Sequence, residues 1–148
     1  MQIETRTFGP VEIDETQVVT LTEPMPGLPG FTRFAVLHPD PELPFQWFQS
    51  VERADLCFVV ADPKSFFADY EIQLSGAVLS SLGLDGPAQA AVAVVLTVPS
   101  DPAQATANLL APLVFNVEKK LARQVILEGS PYGVREPLFP SRARAASG

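Results

Sequence analysis

The side chains able to do chemistry are few and scattered. One histidine, His38, stands ahead of Pro39, and one cysteine, Cys57, lies in the apolar run "LCFVVA". His38 has no cysteine or histidine at metal-ligand spacing, so it does not point to a metal centre. General-base work would need Asp62 or Asp69 and a serine brought to it in space, giving a hydrolase-like group. No serine stands in the glycine-flanked elbow such nucleophiles occupy. A structural or solvent-facing His38 is the plainer reading. Nothing cationic flanks Cys57 to hold a thiolate, which makes it a small apolar filler. A single cysteine also excludes an internal disulfide.

Two acids, Asp69 and Glu71, flank Tyr70 in "FFADYEIQL". Read as a strand, alternation sets both on one face. There they suit acid–base work or, more plainly, a solvated or docking patch. Phe45, Trp47 and Phe48 form an aromatic cluster in "PFQWFQS". Phe45 and Trp47 share one side of a strand and Phe48 takes the other, so at least one side is core. The stretch "EPMPGLPGF" has glycines at 27 and 30, each preceded by proline. A phosphate loop would need a lysine or a following helix, and proline removes the N–H donors that hold a phosphate. Core-like strands on both sides also exclude a linker. A stiff corner between strands remains, with proline fixing φ and glycine permitting the turn.

The elements that must position these residues are mostly strands. "QIETRTFG" alternates with period two, with Ile3 and Thr5 opposite Gln2 and Glu4. "QVVTLT", "RFAVLH", "FQWFQS" and "DLCFVVA" are β-branched, aromatic or apolar runs of strand length. "QAAVAVVLTVP" reads as a buried strand. "DPAQATANLLAP" reads as a loop. Two further strands are expected around a turn at Glu118–Lys120, the second over Gln124 to Leu127. The one helix expected is "SGAVLSSLG", residues 75–83, with Ala77, Val78, Leu79 and Leu82 apolar and Gly83 past its end. Some eight or nine short strands and one short helix make an all-β domain, a small closed or partly open β-barrel-like fold.

The totals agree with one domain. A chain of 148 residues buries roughly two-thirds of its unfolded surface, enough for its own core. Hydrophobic residues are 47% and charged ones 18%, a globular balance rather than a disordered one. The 15 prolines work against long helices. The expected organisation is a barrel domain over residues 1–138 and a flexible tail over 139–148. "MQIETRTF" has neither the basic nor the apolar part of a signal peptide, and no apolar run reaches the roughly 18 residues of a membrane span. A reducing cytoplasm is the expected compartment. Net charge is −7, and it is uneven. Residues 1–118 carry 15 acids and 4 bases, and residues 119–148 carry 2 acids and 6 bases. An acidic body argues against direct nucleic-acid binding. It suits either a basic protein partner or solubility alone.

Several blocks taken together resemble the flagellar assembly factor FliW family: "GLPGF", "PFQWFQS", "FVVADP", "DYE", "TANLLAPLVFN" and "QVIL". They run in the family's order over roughly residues 2 to 135. The resemblance implies a non-enzymatic cytoplasmic regulator with a small β-barrel-like fold, needing no cofactor or metal. It implies two protein partners. One is CsrA, an RNA-binding translational repressor that silences flagellin mRNA. The other is the C-terminal region of flagellin, which competes with it. Asp69, Glu71, Asn108, Leu109 and Leu110 are the expected partner-binding residues. In that reading "NLLAPLVF" forms one wall of an apolar groove for a helix; otherwise it is loop and core strand. Thr32 and Arg33 stand where the family pattern leads one to expect an acid, which keeps open a flagellin chaperone without CsrA antagonism.

Overall fold

The computed structural model describes residues 1–139. Apart from Phe139, the tail expected at 139–148 lies outside the described residues. The described residues form eleven strands and one α-helix. β1 (Gln2–Thr5) and β2 (Gly9–Glu12) make a separate antiparallel hairpin. β3 (Val18–Leu21), β4 (Arg33–Leu37), β5 (Phe45–Ser50) and β6 (Cys57–Ala61) follow as an antiparallel meander. After α1 (Gly76–Ser81) come β7 (Ala91–Thr97), β8 (Thr106–Ala107), β9 (Leu113–Asn116), β10 (Leu121–Gln124) and β11 (Glu136–Pro137).

Seven of these strands close into a barrel, the all-β fold expected from the patterning. β7 uses Ala91–Ala93 to pair with β9, and its far end, Leu96 and Thr97, to pair with β8. β10 then lies antiparallel to β9 and parallel to β3, which shuts the ring. Closure leaves no barrel edge for a stray strand to join. Phe34 and Phe48 are both fully buried inside it, their rings stacked at 4.4 Å and 2°. Phe115 meets Phe48 edge-on at 5.9 Å. Phe48 therefore faces inward, while Phe45 and Trp47 are half-buried on the other side.

The "EPMPGLPGF" stretch makes the corner between β3 and β4. Gly27 and Gly30 take φ of 80° and 86°, a region closed to most side chains. Leu28 N–H donates to Met25 C=O and Phe31 N–H to Leu28 C=O, two successive turns. Met25 is buried among the barrel residues and anchors the corner.

Several expected elements shift. Residues 69–71 are not a strand; this segment is held by the Tyr70 side chain and not by a ladder. The strand expected over 124–127 forms earlier, at Leu121–Gln124, because the turn is tight enough for Leu121 to face Asn116 directly. Lys120 takes φ 57° there. Beyond the strand, Val125 N–H still reaches Pro112 C=O and Leu127 N–H reaches Leu110 C=O. The loop expected over 101–112 contains a 3-10 turn and β8. α1 matches its expected span. Ser75 Oγ accepts from Val78 N–H at its start, and Gly83 follows its end at φ 67°. Val78 and Leu82 are buried, but Ala77 is exposed and belongs to the outer face.

Candidate functional site

A second layer covers the barrel wall outside β6 and β7. Its core holds Tyr70, Val94, Leu96, Ala107, Leu109 and Leu127. Tyr70 is 3% exposed, and its hydroxyl donates to Leu109 C=O at 2.7 Å. Burial, with a smaller contribution from Tyr132, pushes the Tyr70 phenol far above its usual range, so it remains a donor. The Tyr132 ring packs edge-on against Tyr70 at 4.7 Å, and its hydroxyl accepts from Glu71 N–H at 3.1 Å. Asn108 Oδ1 accepts from Ala111 N–H, which folds residues 108–111 into a turn. Leu109 and Leu110 N–H both donate to Gly133 C=O. Three distant segments, 69–72, 108–111 and 132–133, are thus clasped together.

The clasp brings the sequence-named residues into one neighbourhood, with different surfaces. Asp69 and Glu71 are exposed; Asn108 and Leu110 are half-buried. Leu109 is 1% exposed and offers a partner nothing but packing beneath the surface. Leu113 and Val114 are likewise buried completely, so "NLLAPLVF" is core and turn here, not the wall of a groove.

A groove exists beside it. Residues 71–78 and 125–132 enclose about 570 Å³, with Ile72, Val125, Ile126 and Tyr132 among its apolar lining. Ile126 is 57% exposed. Among the described residues, the titratable side chains in this lining apart from Tyr132 are Glu71 and Glu128, with no lysine or arginine. A lining of mixed polarity, with two carboxylates and exposed apolar side chains, suits an amphipathic, basic segment. Ile126 was missed in the sequence because the strand expected at 124–127 hid its exposure; Glu128, just past that strand, has no local pattern that places it beside a groove.

The other candidates are placed apart from this groove. His38 is exposed at the end of β4. Its Nε2 lies 3.2 Å from Leu43 C=O and its Nδ1 3.5 Å from Gln46 Nε2, an arrangement that the Nε2–H tautomer satisfies at both nitrogens. Asp62 lines the same cavity as His38, but Asp69 does not, and neither does any serine among the described residues. Among the described residues, no group of three or more His, Cys, Asp and Glu could hold a metal ion. Cys57 is half-buried, and burial pushes its thiol up to about 11. A thiol held protonated is a poor nucleophile. No helix among the described residues is long and apolar enough to cross a membrane.

In "PFQWFQS" the residues that matter locally are the polar pair the aromatic reading passed over. Gln49 is fully buried, with its Nε2 within 3.0–3.3 Å of the carbonyls of Ser50, Arg53, Ala54 and Leu56. Ser50 Oγ accepts from the N–H groups of Glu52 and Arg53. Together they tie down the β5–β6 loop. A buried glutamine next to a serine before a charged turn is the signal that could have found them.

The family model described as "FliW protein" matches residues 2–138. The flagellar assembly factor FliW of Geobacter sulfurreducens is 36% identical over 147 residues, covering 98% of this chain and 91% of that protein. That of a Geobacillus species is 39% identical over 142 residues, covering 96% and 98%. A crystal structure of the flagellar assembly factor FliW superposes with a TM-score of 0.88 at 38% identity, covering 95% of this chain and 98% of that one. Matched in sequence and in barrel over nearly its whole length, the chain belongs to the FliW family.

Proposed function

We propose that this protein acts in flagellum assembly as a non-enzymatic regulator. It binds a CsrA-type RNA-binding repressor and relieves repression of flagellin mRNA, and it binds the C-terminal region of flagellin as a competing partner. It works in the cytoplasm, through proteins and not through direct contact with nucleic acid or membrane. The observation that carries this reading is the groove beside the clasp, of mixed polarity, with Glu71 and Glu128 in its lining and no lining cation among the described residues. An RNA-binding repressor is necessarily basic, and an acidic, partly apolar groove complements it. One groove also admits one segment at a time, which is what competition requires.

The alternative, a flagellin chaperone without CsrA antagonism, rests on Thr32 and Arg33 standing where an acid is expected. Glu52 brings a carboxylate to that place: its Oε1 accepts from the N–H groups of both residues, at 3.4 and 3.2 Å. The two-partner reading is therefore preferred. Gel filtration of the purified protein with CsrA, at low and moderate salt, tests it. Co-elution that a flagellin C-terminal helix peptide reverses is expected. Failure to co-elute at either salt sinks the repressor half, and failure of the peptide to displace sinks the competition.

A further inference from the structure

One end of the barrel is packed and the other is not. Phe34, Phe48 and Leu113 fill the interior with fully buried side chains. At the end where β4 and β6 finish and β5 and β7 begin, the lining is shorter: Val19, Val36, Val60 and Ala93, with Phe115. These leave a cavity of about 490 Å³. That size lies within the roughly 300–1,000 Å³ of small-molecule sites, and the mouths of β-barrels are among the places where such sites occur. Barrels of about this strand number hold at most one small ligand.

The polar groups at the rim decide what kind. Gln46 Nε2 faces His38 Nδ1, and His38 Nε2 faces Leu43 C=O. Asn116 donates to Leu82 C=O and accepts from Lys119 N–H. Asp62, the carboxylate in the lining, accepts from Lys64 N–H through Oδ1. On the β3–β10 side, Gln17 accepts from Asp14 N–H through Oε1, which leaves its NH₂ free to donate. Lys120 Nζ gives one N–H to Val117 C=O at 3.2 Å and keeps two. The spare capacity of these two side chains is chiefly donor capacity, part of it charged.

We propose that the barrel mouth binds a small amphiphile, with its apolar body in the cavity and a hydrogen-bond-accepting anionic head, such as a carboxylate, on Gln17 and Lys120. The site is separate from the groove at Glu71 and Glu128 and stands or falls without it. Isothermal calorimetry of the full chain with decanoate, below its micelle concentration, tests the proposal. Saturable one-to-one binding is expected. Ala93→Leu fills the cavity and abolishes binding while the thermal melt still shows a folded protein; Val60→Leu serves the same purpose if Ala93→Leu does not fold. Lys120→Gln weakens decanoate about threefold, the order a partly exposed ion pair supplies, and leaves decanol unchanged. No saturable binding, or binding that survives a folded filling variant, overturns the site. Decanol binding as tightly as decanoate overturns the assignment of the head group.

Discussion

The barrel and the layer clasped to its outside are held by different means. Inside the barrel, ladder hydrogen bonds run unbroken around seven strands and stacked rings fill the middle. Outside, residues 69–72, 108–111 and 132–133 have almost no ladder, and a few isolated bonds join them: Tyr70 hydroxyl to Leu109 C=O, Glu71 N–H to the Tyr132 hydroxyl, and the N–H groups of Leu109 and Leu110 to Gly133 C=O. The barrel is redundant, so no single ladder bond decides its shape. The clasp has few bonds, and the one from Glu71 N–H to the Tyr132 hydroxyl ties Glu71 to the 132–133 segment. A scaffold of the first kind can carry a binding surface of the second kind, because the surface can change without unmaking the core.

The comparison breaks most severely at Phe48. Phe48→Ala removes a fully buried ring that stacks on Phe34 and meets Phe115. It should cost about 3–5 kcal/mol, the range for large-to-small core changes at aromatic sites. Urea denaturation followed by Trp47 fluorescence should show one transition at a much lower midpoint, since the outer layer packs on the barrel wall. A second, unshifted transition for the outer layer would mean that the two regions are stable independently.

Tyr70→Phe acts on the clasp alone. It keeps the ring and removes the hydroxyl, which leaves Leu109 C=O buried without its partner. The expected loss is about 1–3 kcal/mol, the penalty for an unsatisfied buried polar group. Hydrogen exchange should quicken at residues 109–111 and at Glu71, with the amides of β4 to β6 unchanged. Uniform quickening across the barrel would show that the clasp is part of the core's cooperative unit.

The same difference explains what could be read in the sequence. β3 to β7 were legible because strand pairing writes itself locally: Val18 to Leu21, Arg33 to Leu37 and Phe45 to Ser50 alternate or run apolar within a few residues. α1 was legible from its apolar residues Val78, Leu79 and Leu82 and from Gly83 past its end. The clasp was not, because Tyr70 and Leu109 are 39 positions apart and Glu71 and Tyr132 are 61 apart. No local period records such contacts. "DYE" therefore read as a strand with two acids on one face, when its structural centre is the tyrosine between them. The site was legible in part: Glu71 was named for its charge, while Ile126 disappeared into an expected strand that in the fold ends at Gln124, and Glu128 lay just beyond it. Leu109 was named for its apolarity, which the fold uses inward.

Cys57 sharpens the comparison from the barrel side with a smaller effect. Its thiol is raised from 9.0 to about 11 by burial. A raised acid of this kind contributes fully below the unfolded value and loses its contribution as pH rises from about 9 through about 11, where the unfolded chain ionises first. Alkylation by iodoacetamide at pH 8 should therefore be about a hundredfold slower in the native protein than in urea, in proportion to the thiolate fractions. Equal rates would place the thiol in water and remove β6 from the list of well-packed strands.

The gentlest test leaves both regions folded and changes only charge. Glu71→Lys with Glu128→Lys reverses the two carboxylates of the groove without touching a buried side chain. Stability should stay within about 0.5 kcal/mol, as for surface changes remote from caps and core. Tyr132 accepts from the backbone N–H of residue 71, not from its carboxylate, so the clasp itself survives the substitution. Stopped-flow association with CsrA should nevertheless slow by tenfold or more at low salt, with a smaller effect on dissociation, because complementary charge acts chiefly on encounter. Raising the salt should narrow the gap between variant and wild type as the Debye length shrinks to about 8 Å at physiological ionic strength. If association is unchanged at every salt concentration, the groove is not where the repressor lands, and the clasp positions Glu71 for some other purpose. If dissociation rises instead while association holds, the two glutamates make desolvated contacts in the complex, and the groove is a seat and not only a guide.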